Sequence, residues 1–252
     1  MTTTTALGIR SRILAALESE WGALFRALRD GIVGRRLAAI PMTLLATAAI
    51  LVFYVVQHTA GGEMVVERIG VVQASLPLWQ SLSRTPLSLF VPAPDLPVWG
   101  AALQVFAVFG IAEIALGRWL TLAVAYLGTL AGTLYARNGV RLGPEHVFGL
   151  PYDDAFLRDT GPSAAVVALA VCIAWRYRAW FTGGAVVVAM VGEEVLLPNM
   201  AGAEHMAAIL CTVVIAGYGE LMGRSWMRTS RAVRCAAALQ QLPEKVRRTR
   251  AA

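Results

Sequence analysis

Residues 98–135 read VWGAALQVFAVFGIAEIALGRWLTLAVAYLGTLAGTLY, and only Glu113 and Arg118 among them are charged. A helix needs about 20 apolar residues to cross the ~30 Å hydrocarbon core of a bilayer. The stretch therefore predicts two crossings, 98–116 and 119–135, joined by a turn at Gly117 and Arg118. In lipid every backbone N–H and C=O must be satisfied internally, so each crossing is expected to be helical. This hairpin predicts an all-α membrane protein, and the rest of the chain is read outward from it.

The composition agrees. Hydrophobic residues make up 57% of the 252 residues and charged residues 15%, with a mean hydropathy of +0.61. Soluble domains carry about 25% charge. Four further apolar runs predict spans at 37–56, 162–175, 180–197 and 204–222, giving six transmembrane helices. Between the first and second spans lies a long segment, 58–97. Its strings LPLWQSL and PLSLF are apolar enough to predict a loop partly embedded in the membrane. Residues 9–30 place Leu14, Leu17, Trp21, Leu24 and Leu28 on one helical face, with Arg12, Glu18, Arg26 and Arg29 largely off it. That pattern predicts an amphipathic helix on the membrane surface; a soluble or oligomer-contacting helix is the alternative. The expected organisation is a cytoplasmic amphipathic segment over 1–36, a membrane domain over 37–222 and a basic cytoplasmic tail over 223–252.

The net charge of +6 does not point to nucleic acid, because the basic residues flank the apolar runs and read as topology signals and lipid contacts. Of the 22 Lys and Arg residues, only Arg68, Arg84, Arg137, Arg141 and Arg158 fall on one side of the six-span reading. The positive-inside rule then places both termini in the cytoplasm, and the expected location is the plasma membrane. Cys172 and Cys211 lie in apolar runs and Cys235 in the tail, with no disulfide or zinc spacing. His58, His146 and His205 form no HExxH motif, and there is no glycine-rich phosphate loop. The N-terminus does not read as a cleavable signal.

With this topology the fourth and sixth spans both begin at the outer face. Ser163 and His205 each lie a few residues in, and a helix rises about 1.5 Å per residue. The two side chains are expected at similar depth. A serine hydroxyl becomes a nucleophile when a histidine takes its proton. Ala164, Ala168 and Cys172 in the fourth span, and His205, Ala208, Thr212 and Ala216 in the sixth, form small-residue stripes that allow close helix approach. The competing reading is structural: Asp159, Thr160 and Ser163 are all capping residue types, and Pro162 suits a first helical turn. Both readings stay open on these residues alone.

The chain resembles the rhomboid family of intramembrane serine proteases and their inactive relatives. The family's GxSG motif is similar to Gly161-Pro162-Ser163-Ala164, and its AHxxG setting to GAEHMAA at 202–208. Its Glu-x-x-x-Gly turn after the second span is matched by Glu113 and Gly117, and its long first loop by 58–97. The resemblance covers roughly residues 75–222. It implies a six-helix rhomboid-like bundle and a Ser163–His205 dyad. It also implies a transmembrane protein substrate cut near the outer face, with no metal and no cofactor. Ala164 and Ala208 replace family glycines. The span-two His and Asn that help bind the oxyanion correspond to Pro97 and Ala101, which have no side-chain donor. Gln104 is the nearby amide, so Gln104 and Gly161 are the expected supports for the oxyanion and the motif. These departures leave two readings: an active protease, or an inactive relative that binds transmembrane partners.

Glu193 and Glu194 follow the apolar run of the fifth span. They are read as carboxylates beyond a span ending at Gly192, in water at the outer face. The alternatives are a polar cavity lining, or a proton- or cation-handling site in a transporter. Gly128 and Gly132 form a GxxxG pair expected to pack internally. Asp153, Asp154, Asp159 and His146 are expected in a solvated outer loop whose spacing does not fit a calcium site.

Overall fold

The computed structural model describes the backbone of residues 2–94 and 97–240, and the side chains of 12, 14–94 and 97–220. The basic residues and Cys235 of the expected tail fall outside the described side chains. The described chain is all-helical, with no strands. It contains α1 (Thr2–Arg35), α2 (Pro41–Gln57), α3 (Gly62–Gly70), α4 (Leu78–Ser88) and α5 (Val98–Leu116). These are followed by α6 (Arg118–Leu142), α7 (Ser163–Tyr177), α8 (Trp180–Leu196) and α9 (Met200–Gln240). Two compact units divide the chain, Met1–Val213 and Val214–Ala252, and every residue discussed below as part of the site belongs to the first.

Three helical stretches are long and apolar enough to cross a membrane: α5, α6 and Met200–Glu220 of α9. A fourth is formed if Leu14–Ala39 and Pro41–Gln57, bent by 52°, act as one span. The 15-residue α7 is shorter. It rises only about 22 Å at 1.5 Å per residue, against a core of about 30 Å. The chain is thus compatible with an integral membrane protein, with three to four such helices.

The predicted hairpin appears with its first helix and its turn as read, while α6 runs past the expected end at Tyr135 to Leu142. Helix α5 ends at Leu116, and Gly117 turns the chain directly into α6. The buried Glu113 at this end has a structural task. Its carboxylate accepts the backbone N–H groups of Met42 (3.1 Å) and Thr43 (2.9 Å) and the Thr43 hydroxyl (2.8 Å). Pro41 is the first residue of α2 and has no N–H, so Glu113 receives the next two orphan donors of that helix. A side chain of α5 thereby caps α2, where the local residue Ile40 provides no side-chain cap.

The first loop is more ordered than a simple embedded loop. LPLWQSL lies mostly in α4, and 62–70 forms α3. The segment between them pairs with the loop before α7. Asp159 N–H donates to the Val72 carbonyl (2.9 Å) and Ser75 N–H to that of Ala155 (2.9 Å). Arg158 forms ion pairs with Glu67 and Glu63. Arg137 of α6 donates to the carbonyls of Ala74 and Leu76.

Helix α1 does more than present an apolar face. Trp21 Nε1 donates to Thr182 Oγ1 (2.8 Å), and the Glu20 carboxylate accepts Thr182 N–H (2.7 Å) in the first turn of α8. Leu24 packs against the main core, while Leu14, Leu17 and Trp21 remain exposed. That core joins Ile50 of α2, Val105 and Phe109 of α5, Val124 of α6, Leu169 of α7 and Ala208 of α9.

Candidate functional site

The turn before Ser163 is set by backbone contacts with the first loop. Gly161 has φ +109, a conformation that L side chains rarely adopt, and its N–H donates to the Ser88 carbonyl (2.9 Å). Pro162 takes the cap position and Ser163 is the first residue of α7. The capping role weighed for Asp159, Thr160 and Ser163 is not what forms, since no side chain caps this helix. Ser163 sits one residue inside the cap position, and the Asp159 carboxyl turns inward. The half-buried Ser163 hydroxyl makes no hydrogen bond among the described residues. The N–H groups of Ser163, Ala164 and Ala165 likewise find no partner outside the helix.

Helix α9 starts beneath an asparagine cap: Asn199 Oδ1 accepts Gly202 N–H (3.0 Å). One turn on, His205 is buried, at 7% exposure, and neither ring nitrogen has a hydrogen-bond partner. Buried polar groups are satisfied in the large majority of cases, and His205 is one of the exceptions in this fold, with both ring nitrogens unbonded. Its Nδ1 lies 3.5 Å from Glu193 Oε2, a looser contact than a formed hydrogen bond. The hydrogen bond between Ser163 and His205 is not made, since both partners are unbonded. Catalytic contacts are often long until substrate arrives.

The helix of the fifth apolar run covers nearly the whole of the expected 180–197 and does not break at Gly192. Helix α8 continues to Leu196, so Glu193 and Glu194 sit on it and face the start of α9. A Cβ on Gly202 would come within 2.3 Å of Glu194 Oε2. A helix N-terminus favours nearby carboxylates, which accounts for the extension of α8 through these acids.

The helices carrying Ser163 and His205 meet at Gly128 of α6. A Cβ there would lie 2.5 Å from Ala168 Cβ, 3.4 Å from the Ala164 carbonyl and 3.8 Å from Ala208 Cβ. At Gly132 it would lie 3.0 Å from Glu204 Cβ. The GxxxG pair therefore packs internally, as expected. Ala164 and Ala208 carry methyl groups where the resemblance leads one to expect glycines, and the small residue opposite them is supplied by α6.

One feature of the site was not anticipated. Asp159 was expected in a solvated loop, yet its carboxyl is enclosed although the residue as a whole is only half-buried. Its Oδ2 accepts the Thr133 hydroxyl (2.5 Å), and its carboxyl shares a hydrogen bond with Glu204. Two carboxyls can share such a bond only when one is protonated. Burial pushes Asp159 up to about 6, against the lowering effect of its hydrogen bonds with Thr133 and Glu204. The pair joins the segment four residues before Ser163 to the residue before His205. The sequence signal was present, since Glu204 stands beside His205, but nothing local linked it to Asp159.

Gln104 is half-buried on α5, and its amide makes no hydrogen bond among the described residues. Among the described residues, no group of three His, Cys, Asp or Glu side chains could hold a metal ion. No family model, curated protein or solved structure matches the chain.

Proposed function

We propose that this protein is a rhomboid-like intramembrane serine protease acting through Ser163 and His205. The reading includes six membrane spans, with α2, α7 and α8 as the short ones, and both termini in the cytoplasm. The observation that carries it is the buried His205 imidazole, with both nitrogens unbonded. The helix bearing it and the helix begun by Ser163 converge on Gly128.

The chemistry follows from the groups present. Ser163 Oγ attacks a peptide carbonyl carbon of a transmembrane protein substrate while its proton passes to His205 Nε2. The negative charge on the carbonyl oxygen is met by the uncommitted N–H groups of the first turn of α7, at the positive end of that helix. The C–N bond breaks as His205 returns the proton to the leaving nitrogen. His205 then deprotonates a water, whose oxygen bonds to the acyl carbon; the bond from that carbon to Ser163 Oγ breaks, and the proton restores the Ser163 hydroxyl as the carboxylic acid product leaves. The partial exposure of Ser163 supports water entry from the outer side.

A second reading is a rhomboid-like protein that binds transmembrane partners without cleaving them. It is favoured by the absence of side-chain donors at Pro97 and Ala101 and by the unbonded amide of Gln104. The test is labelling by a fluorophosphonate probe in detergent or nanodiscs, wild type against Ser163→Ala. Labelling confined to the wild type is the expected result. Equal labelling of both removes the nucleophile. No labelling of either, with a transmembrane partner retained through purification, supports the second reading.

A further inference from the structure

We propose that Glu193 is a positioning residue for His205, making the site a serine–histidine–glutamate triad instead of a dyad; this rests on the protease reading above. Three carboxylates lie near His205, and two lie against other groups. Glu204, the preceding residue of α9, is turned to Asp159 and, through it, to Thr133 of α6. Glu194 of α8 lies against Gly202. Among the described residues the Glu193 carboxylate pairs with His205 alone, with Oε2 3.5 Å from Nδ1. The imidazole is buried to about nine-tenths and has no other acceptor or donor in reach.

The geometry assigns the proton. A carboxylate at Nδ1 selects the tautomer with the proton on Nδ1 and leaves the Nε2 lone pair as the base for Ser163 Oγ–H. It also stabilises the imidazolium formed when that proton is taken. Glu193 comes from α8 and His205 from α9, so the orientation of the base depends on the cluster in which Val186, Val187 and Met190 of α8 and Met206 of α9 pack against Val167, Val171 and Ile209. The Glu193 side chain is 35% exposed. Its effect is accordingly smaller than the ~10⁴-fold loss seen when a buried triad acid is neutralised, and a fall of about 10–10³-fold is expected.

The test uses the full chain in nanodiscs, with Glu193→Gln, Glu193→Asp and Ser163→Ala variants. Two readouts are needed. Nitrogen-15 histidine spectra, assigned with a His205→Gln variant, give the His205 tautomer. Fluorophosphonate kinetics separate the inactivation rate constant from probe binding. The expected result is an Nδ1–H tautomer in the wild type that is lost in Glu193→Gln and retained in Glu193→Asp. The inactivation rate constant should fall in the Gln variant, recover in part in the Asp variant, and leave probe affinity unchanged. An unchanged tautomer in Glu193→Gln overturns the proposal whether or not the protein labels. A Glu193-dependent tautomer together with labelling that survives Ser163→Ala overturns the protease reading instead. It would leave Glu193 and His205 as a carboxylate–imidazole pair serving another chemistry.

Discussion

Replacing Gly128 by alanine tests the packing that holds α6, α7 and α9 together. The added Cβ would sit 2.5 Å from Ala168 Cβ, whereas ordinary contact begins at 3.4 Å. One helix must therefore retreat by about 1 Å, and overpacking of this kind costs about 1–3 kcal/mol. Opposing it, alanine is better than glycine in a helix by about 0.8–1.0 kcal/mol. The single variant should lose up to about 2 kcal/mol of stability. Adding Ala168→Gly removes the clashing methyl and reverses the helix-propensity gain, so the double variant should return to within about 1 kcal/mol of the wild type. The assay is thermal unfolding in detergent followed by circular dichroism, with Ser163 labelling measured in parallel. Because α7 and α9 carry Ser163 and His205, labelling should fall in the single variant and recover in the double. Two additive losses, with no recovery in the double variant, would refute the claim that Gly128 and Ala168 are in direct contact.

Three further outcomes are expected. Glu113→Ala should lower stability by about 2–4 kcal/mol, because it strands two helix N–H groups and a hydroxyl that now bond a carboxylate; Glu113→Gln should lose less. Thermal melts check this, and a loss under about 0.5 kcal/mol for the alanine variant would contradict the cap. Gly161→Ala should reduce Ser163 labelling more than it reduces the melting temperature, since φ +109 is strained for alanine by about 1–3 kcal/mol at the turn that sets Ser163. Asp159 is raised on folding, from an ordinary 3.8 to about 6, so the folded protein favours its protonated form. Its contribution is fully present below about pH 3.8 and is lost as pH rises through about 6. Melts at pH 4.5 and 7.5 should therefore show a decline that Asp159→Asn flattens.

The sequence by itself determined the apolar helices, while α3 and α4 lie in a segment that read as a loop. The apolar run at 98–135 gave two helices whose joint falls at Gly117, because an apolar run of this length satisfies its backbone polar groups internally only as a helix. The same pattern marked Ser163 as a helix start, His205 as an early residue of the last apolar helix, and Gly128 and Gly132 as a packing face. Tertiary structure decided the polar partners. Glu113 caps a helix 70 residues away, Asp159 meets Glu204 across the bundle, and Glu193 meets His205 only because α8 runs beyond Gly192 to cover the N-terminus of α9. Helical periodicity is local and repeats every 3.6 residues, so it is written in the neighbours of each residue. A carboxylate's partner is fixed by where other helices place a donor or a proton, and no spacing within the chain encodes that distance.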